Sequence, residues 1–240
     1  MAPDIQQTPF VKQLAANDRP TRDKALLSLR TYLSGRRDLS ALELLKLWKG
    51  LFYCMWMSDR ALTQQALANS LADLVSVLPP TTQIPFLRAF WQTMQREWTN
   101  IDVLRMEKFL LLTRRYLGAT FMLLRDGRWE EGLVSEHLAL LEEVPLEVED
   151  VRIPNGMRFH VIDIYVDEIE RVGGLENEGE GESSVPLEML LEPLRKLAKS
   201  SPTKPVRTKA KDALADERLP GNEKVESEAV EDNGWGGIED

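Results

Sequence analysis

Two histidines, His137 and His160, and one cysteine, Cys54, are the whole stock of imidazole and thiol in 240 residues. Neither histidine sits in an HExxH or similar metal-binding pattern, and no glycine-rich phosphate loop, GxSxG elbow or Walker sequence occurs. Cys54 lies within LWKGLFYCMWMSD, Leu47 to Asp59, among aromatic and methionine side chains. Apolar neighbours disfavour the thiolate, so this cysteine is expected to be buried and inert rather than nucleophilic. Asp163 and Asp167 are four residues apart, with Glu168 and Glu170 beside them. Paired carboxylates on one helix face can hold Mg²⁺ or transfer protons. Without a second set of ligands, the simpler reading is a solvated acidic face. The inventory therefore predicts no enzyme, no metal, no cofactor and no small-molecule substrate.

The cations are more informative. Arg19, Arg22, Lys24, Arg36, Arg37, Lys46 and Lys49 cluster early, and Arg105, Lys108, Arg114 and Arg115 recur within one later segment. If corresponding helices line a common face, these side chains form an interrupted basic strip able to follow phosphates. The alternative is that each is an isolated solubilising charge. Aromatic residues near them offer surfaces on which bases stack, although Trp48 and Trp56 suit a core better. Residues 1–120 carry 16 Lys+Arg against 10 Asp+Glu, residues 121–172 carry 5 against 13, and residues 173–240 carry 9 against 16. Such an asymmetry fits a basic half facing RNA and an acidic half facing protein. A dispersed basic run, KSSPTKPVRTKAK (Lys199 to Lys211), reads either as a nuclear-import signal or as a helix with its preceding loop.

The elements that must position these groups read as helix after helix. Asp18 and Pro20 signal a start, Leu26, Leu29 and Leu33 recur at helical spacing, and Gly35 ends the segment. Ser40 to Glu43 has the capping-box pattern. The helix that follows is apolar around most of its circumference, as in a rod buried between neighbours. Ser58-Asp59 is expected to open a third helix, closed by Pro79-Pro80, and a fourth carries Leu87 to Trp98. Thr99-Asn100 is expected to cap a fifth, with Val103, Met106, Leu110, Thr113 and Leu117 on one face. Asp126-Gly127 breaks the chain before a helix from Trp129 to Glu143. FHVIDIYV, Phe159 to Val166, is β-branched, but Ile162, Tyr165, Ile169 and Val172 continue at helical spacing and favour helix.

Helix starts near Thr21, Asp59 and Asn100 recur at about 40 residues, the period of two antiparallel helices in HEAT or armadillo arrays. The fold expected is all-α: a HEAT/armadillo-like α-solenoid or irregular helical-repeat stack. Its expected divisions are a helical-repeat domain over 1–172, an acidic flexible loop over 173–185, helices over 186–218 packing on the repeats, and a disordered acidic tail over 219–240. Nine uncharged residues between Lys49 and Asp59 fall short of the roughly 20 that a membrane helix needs. MAPDIQQTPF lacks the basic start and apolar block of a signal peptide, and a lone cysteine fits the reducing cytoplasm or nucleus.

Four blocks in order, FVKQLAANDRPTRDKALLSLRTYL, LWKGLFYCMWMSDRALTQQALANSLADL, WTNIDVLRMEKFLLLTRRYL and PNGMRFHVIDIYVDEIERV, resemble the eukaryotic nucleolar ribosomal-RNA-processing protein 1 family. The resemblance implies a helical-repeat scaffold without catalytic activity, working in the nucleolus on early pre-60S particles. Its implied partners are large-subunit pre-rRNA and other assembly factors. Matching positions are Trp48, Lys49, Gly50, Tyr53, Trp56, Ser58 and Asp59, then Asp102, Arg105 and Lys108, then Asp163, Asp167 and Glu168. Among them Ser58, Asp59, Asp102, Asp163, Asp167 and Glu168 are the expected contacts to protein, forming a recognition edge from adjacent helix ends, with capping as the alternative role of Asp59. The family commonly continues into a lysine-rich tail, whereas the residues before Asp240 are acidic. A protein-binding helical adaptor without RNA contact is the alternative function.

Overall fold

Residues 13–14, 16, 18–176 and 185–222 are described by the structure, a computed structural model. Parts of the expected acidic loop and tail, 177–184 and 223–240, lie outside them. Asp18 caps α1 (Arg19–Ser34) by accepting from the Thr21 amide at 3.0 Å, with Pro20 in the first turn. Ser40 and Glu43 close the reciprocal capping box at α2 (Ala41–Trp56). There follow α3 (Ala61–Ala72), α4 (Pro80–Glu97), α5 (Val103–Asp126), α6 (Glu131–Glu143), α7 (Asn155–Arg171), α8 (Leu187–Ser200) and α9 (Lys204–Leu214). No strand occurs among the described residues, and FHVIDIYV is helical within α7.

Several boundaries differ from expectation for local reasons. Asp59 caps nothing, because α3 begins after Arg60 with no side-chain cap. That helix stops at Ala72, and a 3₁₀ turn at Val75–Val77 carries the remaining apolar residues toward Pro79. Asp102, not Thr99-Asn100, caps α5, accepting from the Arg105 amide at 3.1 Å, while Trp98–Asn100 form a 3₁₀ turn. Arg128 and Trp129 adopt φ of 55° and 57°, a left-handed pair that an α-helix cannot pass through, so α6 starts only at Glu131. The last helix ends at Leu214 rather than Arg218.

The helices pack by a rule of two. From α2 onward each contacts the helix two places along the chain: α2 on α4, α3 on α5, α4 on α6, α5 on α7, α6 on α8 and α7 on α9. Even-numbered helices thus form one layer and odd-numbered helices the other, and one hydrophobic core runs between them. This is the all-α helical stack of an α-solenoid. Turns α2–α3, α4–α5, α6–α7 and α8–α9 share one edge of such a stack, because every second connection reverses the chain in the same sense.

At the core's centre, Trp48 sits 4.9 to 5.2 Å, ring to ring, from Phe86, Phe90 and Tyr116. Its indole N–H donates to the Phe86 carbonyl at 3.0 Å. Tyr116 donates to the Leu71 carbonyl and Tyr165 to that of Leu190, so the buried phenols hold α5 to α3 and α7 to α8. Cys54 is fully buried, and burial pushes its thiol up to about 11. Trp48→Ala should lower stability by about 3–5 kcal/mol. Urea melts followed by helicity measure this, and a loss under about 1 kcal/mol would show that the cluster is not the anchor.

His137 and His160 lie with one ring nitrogen 2.9 Å from the Leu133 and Leu110 carbonyls respectively. Burial lowers both imidazoles below their ordinary value, against the opposing pull of those carbonyls. The unfolded chain is then the better proton acceptor, so this contribution is full above about pH 6.5 and declines as pH falls through and below it. Urea midpoints should drop between about pH 7.5 and pH 5.5, and His137→Gln with His160→Gln should flatten that slope. A slope unchanged in the double variant would assign it to other groups.

Candidate docking edge

Trp56 ends α2 and leaves carbonyls that no helical amide can reach. Lys108, one turn into the neighbouring α5, supplies the missing donor: its ammonium lies 2.7 Å from the Trp56 carbonyl and 2.7 Å from that of Ser58. A cation there also meets the negative end of the helix dipole. Gln64 of α3 donates to the same Ser58 carbonyl at 3.0 Å. One main-chain oxygen therefore gathers the end of α2 and the first two turns of α3 and α5.

Above this knot Arg105 lies 4.7 Å over the Trp56 ring. It also pairs with Asp102, the cap of its own helix. Phe109 stacks on Phe52 at 4.6 Å beneath. Desolvation lowers the Lys108 pKa, helped by the Arg105 charge and opposed by Asp59 and Asp102. Around the platform, apolar side chains face solvent: Leu62 is 81% exposed, Val103 87% and Leu104 92%. Val103 was expected on the buried stripe of α5; as the first residue after the cap it projects past the end of its neighbours instead. Tyr53, Asp59 and Arg60 are exposed as well. An arginine stacked on tryptophan and ringed by exposed aliphatics has the composition of a protein-binding hot spot.

The remaining site candidates fall into distinct environments. Arg22 is interior, donating to the Ala16 carbonyl at 2.8 Å. Lys108, Ser58 and Glu168 are also buried, so these four are corrected from surface contacts to structural groups. Lys108 is enclosed by the carbonyls it serves and Glu168 by its counter-ions, whereas the Ser58 hydroxyl is buried and its carbonyl is the group that is bonded. Arg19 pairs with Asp23 at 3.4 Å, and Arg36 with Asp38 at 3.3 Å beside the Tyr32 ring. Arg114 reaches Glu168 at 2.6 Å and Asp167 at 3.0 Å, tying α5 to α7. Arg115 and Lys46 are half-buried, and Lys24, Arg37 and Lys49 are exposed.

The acidic residues of α7 are likewise engaged. Asp163 pairs with Lys209 at 2.5 Å, and Asp167 with Arg218 at 2.9 Å as well as with Arg114. Arg171 holds Glu168 at 2.6 Å, and Arg218 also holds Glu170. The Asp163/Asp167 pair is engaged by protein cations, and Asp163 stays exposed to solvent. Two contributors were not foreseen. Gly118 lets this network close: a Cβ there would lie 2.0 Å from the Arg171 guanidinium and 2.2 Å from the Glu168 carboxylate. Its signal was a glycine in mid-helix. Arg158 is fully buried and donates to the Glu147 and Asp150 carbonyls, shaping the α6–α7 turn; an arginine inside an apolar helix face was the available sign.

Lys108→Met keeps the aliphatic stem and deletes both bonds to the end of α2. It should lower stability by about 2–4 kcal/mol, since buried carbonyls are left without a charged donor. Denaturant melts of the two proteins measure the difference; a loss below about 0.5 kcal/mol would mean that water replaces the ammonium at no cost.

Comparison with known proteins agrees with the four sequence blocks. The chain is 44% identical over 184 residues to ribosomal RNA processing protein 1 homolog B of Homo sapiens, covering 73% of this chain and 24% of that protein. It is 42% identical over 182 residues to homolog A of the same organism, covering 73% and 39%. It is 32% identical over 177 residues to the Drosophila melanogaster homolog, covering 69% and 25%. The chain therefore spans well under half the length of these curated relatives. Residues 5–236 match the family described as nucleolar protein, Nop52. With the helical stack and its family blocks in register, the chain belongs to the Nop52 family of nucleolar proteins.

Proposed function

We propose that this chain is a non-enzymatic scaffold of early nucleolar pre-60S particles, required for processing of large-subunit pre-rRNA. The observation that carries the proposal is the edge where Arg105 stacks on Trp56 among exposed Leu62, Val103 and Leu104. It lies in a family whose relatives are named for ribosomal RNA processing. A rigid two-layer stack with a preformed apolar edge suits docking, because little side-chain freedom is lost on contact. Among the described residues no helix is long and apolar enough to cross a membrane. The partners on this reading are other pre-60S assembly factors at the edge and rRNA at the exposed cations.

Among the eleven cations considered for phosphate contact, Lys24, Arg37 and Lys49 are the exposed ones without an ion pair described above, so they are the stronger rRNA contacts. Arg105, Lys108 and Arg114 hold the fold. That same commitment favours a second reading, a purely protein-binding adaptor, since few cations remain for phosphate.

Val103→Asp with Leu104→Asp should remove the chain from pre-60S fractions on sucrose gradients while its helicity and melting stay unchanged. Retention of the double variant in those fractions would sink the docking edge. Lys24→Glu, Arg37→Glu and Lys49→Glu together should weaken RNA crosslinking, and wild-type RNA binding should fall steeply with salt. Crosslinking that is indifferent to both would leave the adaptor reading in place.

A further inference from the structure

In the odd layer α3, α5, α7 and α9 pack in sequence, but α1 meets the stack through the 3₁₀ turn at Val75–Val77. A groove of about 330 Å³ stays open between α1 and α3. Leu27, Ala66, Leu67 and Leu74 line it. Leu27, on the groove wall, is 69% exposed, an aliphatic side chain left facing solvent beside an apolar floor.

Charge selects among occupants. The α1 wall presents Arg19 and Arg30 beside Asp23, with Asp73 across the groove, while the Arg22 guanidinium is turned inward to the Ala16 carbonyl. Arg30 is exposed on this wall. Arg19 is paired with Asp23 at 3.4 Å, but both side chains are more than half exposed, and a pair of that kind is exchanged at little cost. Apolar walls give a nucleic acid nothing to neutralise, whereas an amphipathic helix uses both features. We propose that the α1–α3 groove is a docking site for an amphipathic helix of a partner protein, its apolar stripe seated on Leu27 and Leu67 and its acidic flank along Arg19 and Arg30. The site lies on different helices from the edge at Trp56 and does not depend on the ribosomal reading.

A photoreactive phenylalanine analogue placed at Ala66 in the full-length protein, in its own cells, tests the site. The crosslinked peptide is sequenced by mass spectrometry, synthesised and titrated against the purified chain by fluorescence anisotropy. The expected peptide belongs to another protein, has aliphatic residues at helical spacing and is acidic along one side. Leu27→Glu and Arg30→Glu should each weaken its binding about tenfold while leaving the melting curve unchanged. Crosslinks to RNA, to residues 223–240 of this chain or to a peptide without that pattern would overturn the proposal. So would the absence of crosslinks, or equal affinity for the wild type and both variants.

Discussion

Donation of a buried side-chain hydrogen to a main-chain carbonyl on another helix is the interaction on which this stack depends. Apolar packing alone lets one rod slide or roll on the next. A carbonyl that must be satisfied in a dry interior does not. Trp48 fixes α2 against Phe86 of α4, Tyr116 fixes α5 against Leu71 of α3, and His160 fixes α7 against Leu110 of α5. Lys108 does the same at the end of α2, with a charge in place of a dipole. These contacts join residues 38 to 52 positions apart, about one helical pair. Each therefore sets the register of one repeat on the next.

The candidate docking edge follows from that register. Since Lys108 and Gln64 meet at one carbonyl, the first turns of α3 and α5 arrive side by side, with Leu62, Val103 and Leu104 turned outward. Aliphatic residues in the first turn of a helix extend past the core of a two-layer stack, where no neighbouring helix covers them. The Arg105 guanidinium, held by Asp102 on one side and the Trp56 ring on the other, is pre-set rather than free to wander. Exposed apolar area beside a fixed planar cation is what a partner can bury without first ordering the surface.

Long-range charge asymmetry looks different once folded. The basic helix α5 and the acidic helix α7 are neighbours, and Arg114 couples them through Glu168 and Asp167. Arg218 and Lys209 extend the same neutralisation toward the carboxyl-terminal helices. Several opposite charges that are distant in sequence therefore pair across helix contacts. The fully buried Glu168 is held between Arg114 and Arg171, which keeps its carboxylate compensated away from water.

Local chemistry was readable without coordinates. The Asp18 cap, the Ser40–Glu43 capping box, the Gly35 and Gly127 stops and the 3.6-residue apolar spacing each depend on residues within a few positions of one another. Those signals sufficed for an all-helical repeat stack, a buried Cys54 and a core built on Trp48. The family blocks were legible for the same reason, as strings of adjacent residues. Which lysine turns inward was not, because Lys108 and Lys49 look alike until a carbonyl from a helix about fifty residues away arrives beside one of them. The exposure of Val103 and Leu104, the closeness enforced at Gly118 and the open channel beside α1 were likewise decided by tertiary packing. Spacing along a chain reports which residues share a face, and only the neighbouring helices determine whether that face is covered.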